Sequence, residues 1–144
     1  MKSVLIILVA LIVLFLIGRV VVGRANPIKP LGVVDGKLAP CPNSPNCVSS
    51  FAPADDTQHH IAPLASTDKQ KLLDVLNDMP RTTIESDDGN YIHATQRSAA
   101  WGFIDDIEFI IGDNQIDVRS SARTGYSDMG VNRNRVEQIR AQLE

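Results

Sequence analysis

Residues 4 to 17 read VLIILVALIVLFLI, fourteen apolar side chains without a break. GRVVV follows, so the apolar stretch runs to Val22 with Arg19 as its only charge. Nineteen helical residues reach about 28 Å, close to the thickness of a bilayer's hydrocarbon core. Arg19 stands near the end of the stretch, where the stem can carry the guanidinium to the headgroups. A single transmembrane helix over residues 4–22 is therefore expected, with residues 1–24 acting as a membrane anchor or uncleaved signal. The rival is a cleaved signal peptide. Lys2 supplies a basic start, but neither Val21-Val22-Gly23 nor Gly23-Arg24-Ala25 makes a good small-residue cleavage site.

Orientation pulls two ways. Lys2 and the terminal amine lie before the apolar stretch, whereas Arg19, Arg24 and Lys29 lie at its end and beyond. That count mildly favours a cytoplasmic domain. Beyond Ala25 the chain carries all 17 acidic residues and 11 of the 14 Lys and Arg, a net charge of −6. An acidic domain is a poor general binder of nucleic acid, which needs a basic face for phosphates. Five arginines between 119 and 140 still leave room for a local basic patch.

Residues 25–40, ANPIKPLGVVDGKLAP, hold three prolines and two glycines without periodicity and read as an extended linker. Residues 41–144 are expected to form one α+β domain. Thr67 and Gln70 make a capping box, Leu72, Leu73, Leu76 and Met79 form one stripe, and Pro80 stops the helix. TTIES, DDGN and YIHATQRS predict a hairpin turning at Asp88-Gly89. WGFIDDIEFII, GDN and QIDVRSSAR predict a second. With Asp113-Asn114 as its loop, Ile111 faces Ile116, Phe109 faces Val118, Ile107 faces Ser120, Glu108 faces Arg119 and Asp106 faces Ser121. Apolar then meets apolar and acid meets base. Asn132 is expected to cap a last helix burying Val136, Ile139 and Leu143. The expected architecture is a two-layer domain, a four-stranded antiparallel sheet with helices packed on one face.

Three segments, CPNSPNCVSS, WGFIDDIEF and IDVRSSARTGYSDMGVNRNRVEQIR, together resemble the domain of unknown function 1499 family. The resemblance covers roughly residues 40 to 142. It implies a membrane or export segment ahead of the domain, as residues 4–22 supply. The family has no established activity, substrate or cofactor, so the resemblance implies no catalytic role for any residue.

The chain's two cysteines, Cys41 and Cys47, admit four readings: a disulfide, unpaired structural thiols, a metal site or a nucleophile. A disulfide would close a seven-residue loop worth about 2 kcal/mol, less whatever Pro42 and Pro45 already stiffen. It would place the domain in an oxidising compartment. A zinc site would need two more ligands, and the adjacent His59 and His60 lack the usual spacing. A nucleophilic Cys47 would need a base, with His59, His60 and His93 as candidates. The disulfide is the favoured reading, and no metal or other cofactor is expected.

Two further groups stand out. Asp106 and Glu108 share one strand face and are expected to be the exposed half of cross-strand pairs. Asp105 points to the core side, where a carboxylate needs a partner or a shifted pKa. Arg119, Ser121 and Arg123 share a face, and two guanidiniums flanking a hydroxyl can hold a carboxylate or phosphate. The bland alternative pairs Arg119 with Glu108 and lays Arg123 over Trp101. Tyr126 and Asp128 follow in a turn, where binding residues concentrate. His59-His60 is expected in a solvated loop. The candidate ligand or partner site is thus Arg119, Ser121, Arg123, Tyr126, Asp128 and Asp105.

No Ser-His-Asp, zincin, P-loop or dinucleotide motif is present. The expected function is a non-enzymatic binding or accessory module of the cell envelope. It would be tethered by residues 4–22 on the extracytoplasmic side and bind a protein partner or small anion. The alternative is a small hydrolase using Asp105 or Cys47.

Overall fold

The computed structural model describes residues 2–24 and 30–143. Helix α1 spans Lys2–Arg24, and its first twenty residues have a mean hydropathy of 3.2 with none of them fully buried. This length and composition suit a membrane span and a signal sequence alike.

The domain is built on a five-stranded antiparallel sheet in the order β3-β7-β6-β5-β4. Its strands are β3 (Cys47–Ser49), β4 (Thr82–Asp88), β5 (Tyr91–Arg97), β6 (Ile104–Ile111) and β7 (Ile116–Ala122). Four form the expected pair of hairpins in a meander. The fifth corrects the strand count: β3 lies within the proline-rich cysteine loop and pairs with the free edge of β7. Three residues carry no alternation to read, and only the long-range pairing makes them a strand. The β6–β7 register is the one its side chains dictate, from Ile111 opposite Ile116 to Asp106 opposite Ser121. The β4–β5 loop is Gly89-Asn90, one residue later than expected, with Gly89 taking φ +64°.

Helices α2 (Lys69–Asp78) and α3 (Val131–Leu143) cover one sheet face. Asp68, not Thr67, caps α2 by accepting from the Lys71 amide at 2.9 Å. Leu72, Val75, Leu76 and Met79 meet Val136 and Ile139 over Ile92, Ile107, Phe109 and Val118. Asn132 does not cap α3. Asp128 does, accepting from the amides of Gly130 and Asn132, and the Asn132 side chain is buried instead.

Within the stretch read as a linker, residues 25–29 lie outside the described residues. The remainder is ordered against the sheet. Strands β1 (Val33–Val34) and β2 (Lys37–Leu38) form a hairpin turning at Asp35-Gly36, both at positive φ. Asp-Gly suits that two-residue turn, whose twist matches the strands it joins. Leu38 is buried, and a disulfide between Cys41 and Cys47 ties the end of this segment to β3. Residues 30–42 therefore form a strap along the sheet face that the helices leave free.

Candidate functional site

Alternation along β5, β6 and β7 sends one set of side chains to the helices and the other beneath the strap. The strap side is where the sequence expectation fails. Asp106 and Glu108 are not exposed: they retain 2% and 0% of their accessible surface. A strand alternating acid and apolar residues reads as half-solvated, but here the strap and neighbouring side chains exclude water from the charged half.

Two ion-pair clusters occupy that face. Glu108 is held from three directions: Arg119 Nη1 donates at 2.8 Å, the Tyr91 hydroxyl at 2.9 Å and the Gly32 amide of the strap at 2.6 Å. Asp106 receives Arg123 through both Nε and Nη2, at 2.9 and 2.8 Å, and its Oδ1 lies 2.9 Å from His93 Nε2. Burial alone would raise the Asp106 pKa. The hydrogen bonds from His93 and Arg123 outweigh it, so the carboxyl sits below its ordinary value. Asp106 in turn raises the Arg123 pKa. Burial, with Glu108 alongside, pushes the Tyr91 hydroxyl well above the ordinary phenol range.

Arg119 is 2% exposed, and its Nε finds no acceptor among the described residues; nor does the Ser121 hydroxyl two residues on. Among the described residues, Arg119 is also the sole charged one lining a cavity of about 280 Å³, otherwise walled by Pro30, Ala39, Pro40, Cys41 and Pro42. The same strap residues border a larger, open cavity of about 790 Å³ lined also by Ser49, Phe51, Asp56 and His59. His59 corrects another expectation, since it is buried rather than solvated. Its Nδ1 lies 2.7 Å from Asp56 Oδ2 and its Nε2 2.9 Å from Gln58 Nε2. The His59 hydrogen bond, its largest influence, lowers the Asp56 pKa.

The six candidate residues do not form one site. Arg119, Ser121 and Arg123 line the strap face. Asp105 lies on the opposite face, where Arg135 Nη2 reaches its Oδ2 at 2.6 Å. Burial raises the Asp105 pKa, and Arg135 offsets only part of that. Arg135 also bonds Gln96, Ser120 and Asn132, closing a polar network under the start of α3. Asp128 belongs to that network through the Asn132 amide group. Tyr126 stands exposed in the loop after β7. Arg123 is engaged by Asp106; Trp101 instead meets Phe15 of α1, with ring centroids 5.2 Å apart.

Sequence reasoning missed Tyr91, Arg135 and the Asp56–His59 pair, and it weighed His93 only as a base for Cys47, not as the partner of Asp106. His93 faces Glu108 in the β5–β6 register, a pairing that becomes readable only once the strand neighbours are known. Arg135 directly precedes Val136 of the apolar stripe and carried no signal of burial.

No curated protein and no solved structure matches the chain. Residues 37–143, from the first residue of β2 to the last of α3, match the family described as "Protein of unknown function (DUF1499)". The resemblance carried by the cysteine loop, the β6 segment and the β7–α3 segment is thereby settled: the chain belongs to the DUF1499 family.

Proposed function

We propose that the chain is a non-enzymatic binding module of the cell envelope, tethered by α1, whose ligand is a small anion taken up beneath the strap. One observation carries this reading: the buried Arg119 Nε, unpaired among the described residues, at the wall of an otherwise apolar cavity. A buried N–H without an acceptor costs about 1–3 kcal/mol, and an anionic oxygen placed there would recover it. Ser121, next on the same face, offers a second unsatisfied group. The disulfide supports an oxidising, extracytoplasmic location.

The hydrolase alternative loses its two named residues. Cys47 is bonded to Cys41, and Asp105 is spent on Arg135 on the far side of the sheet.

Titration calorimetry on the full chain in detergent micelles, with phosphate, sulfate, acetate and citrate as probes, tests the reading. Arg119→Lys keeps a cation for Glu108 but removes the Nε donor. Saturable binding of at least one anion is expected, weakened about tenfold or more in Arg119→Lys with the thermal transition retained. Heats that stay at dilution level for all four anions, or affinity unchanged in the variant, would sink it.

A further inference from the structure

Outside α1, the described residues include seven exposed large hydrophobic side chains. Val33 and Val34 sit on the strap. The other five, Trp101, Phe103, Tyr126, Met129 and Val131, fall in two places: the β5–β6 loop and the segment leading from β7 into α3. Because the meander is antiparallel, both leave the same end of the sheet: Arg97 pairs with Ile104, and Asp105 with Ala122. The Arg123 amide donates to the Ile104 carbonyl at 3.0 Å, which joins the two connections at their base.

This apolar end is also where α1 meets the domain. Trp101 packs edge-on against Phe15, a Cβ at Gly18 would lie 3.2 Å from its ring, and a Cβ at Gly102 would lie 3.9 Å from Arg19 Nη2. Gly18 and Arg19 belong to the last third of the apolar stretch and Phe15 lies just ahead of it, towards the level at which a spanning helix passes from acyl chains to headgroups. Met129 is 94% exposed and holds φ +55°, a conformation costly for a non-glycine residue that gains no packing in return.

We infer that this end of the domain is a membrane-contacting surface. Trp101, Phe103, Tyr126 and Met129 enter the interfacial layer of the bilayer that α1 spans, and the domain rests against the membrane instead of swinging from its tether. Lipid is the occupant because the apolar residues continue directly into the apolar helix, and because Trp and Tyr favour that layer. The inference rests on α1 being retained as a span, and it is independent of the anion site.

Trp101 is the chain's single tryptophan, so its fluorescence reports the surface directly. The full chain is reconstituted into phosphatidylcholine–phosphatidylglycerol vesicles, with or without brominated acyl chains, and retention is checked by flotation after an alkaline wash. Strong quenching of Trp101 by brominated lipid, with little quenching by aqueous acrylamide, is expected. The double variant Phe103→Ser/Met129→Ser alters only exposed side chains and should reverse that pattern while the chain still floats. Trp101 left unquenched by lipid and open to acrylamide in floating wild-type chain overturns the contact but not the span. Release of the chain by the alkaline wash overturns the span and the contact with it.

Discussion

Asp105 and Asp106 are adjacent in sequence, both buried, and opposite in their electrostatics. Asp106 has three donors on two oxygens and a lowered pKa; Asp105 has one guanidinium and a raised one. The linkage signs follow. Asp106 contributes stability that is complete above the unfolded carboxylate value of about 3.9 and is lost as pH falls through its lower folded value. Asp105 binds its proton more tightly folded than unfolded, so the stability it withholds at neutral pH returns as pH falls through its folded value. Urea midpoints should therefore show Asp106→Asn less stable than wild type at about pH 7, with the gap closing on acidification towards about pH 3. For Asp105→Asn the wild type should instead gain on the variant as pH falls. Parallel curves for both variants would refute the assignment. Glu108 tests burial rather than titration. Removing it in Glu108→Ala leaves Arg119 buried and uncompensated, at a cost of about 3–5 kcal/mol in chemical denaturation. A loss below about 1 kcal/mol would mean that water reaches the pair.

At the scale of elements, what could be read from the chain depended on whether the determinants were local. The β6–β7 hairpin was legible because its loop and its cross-strand pairs lie within twenty residues. Helices α2 and α3 were legible from their apolar stripes, but their caps lay at Asp68 and Asp128 instead of the nearby Thr67 and Asn132. Asp35-Gly36 carried a hairpin signal that the surrounding prolines and glycines obscured. The burial of Asp106 and Glu108 was not legible, because one of the groups enclosing them, Gly32, is 76 residues from Glu108. A comparably long separation hid Arg119's cavity. The strap makes its own prediction. Gly36 holds φ +73°, and a Cβ there would meet nothing within 4 Å, so Gly36→Ala should cost about 1 kcal/mol through backbone strain alone. Because the strap meets the sheet mainly through Leu38, the Gly32–Glu108 bond and the disulfide, that loss should be local. Amide exchange should quicken across residues 33–38 and leave β6 and β7 unchanged. Uniform loss of protection across the sheet would show the strap to be part of the global folding unit.

For the whole molecule, the disulfide and the charges around α1 make opposing demands, and the compartment decides between them. The three basic residues Arg19, Arg24 and Lys29 at the end of α1 and just beyond it outnumber Lys2 and the terminal amine before it, which favours holding the domain in the cytoplasm, but by a margin of one charge. A disulfide between Cys41 and Cys47 has no lasting place in a cytosol kept reduced by glutathione and thioredoxin. It also fastens the strap to β3, beside the cavity on which the proposed function rests, so the reduced form should lose part of that enclosure. The disulfide should prevail, because a bias of one charge is weak and the cysteines are the chain's only two. Alkylation of intact cells with a mass-tagged maleimide should then leave both thiols unlabelled until a reductant is added, after which two tags shift the band. Two tags without reductant would put the domain in a reducing compartment. The strap would then lack its covalent tie and rest on contacts such as Leu38 and the Gly32–Glu108 bond, and a cell-envelope module could not be sustained.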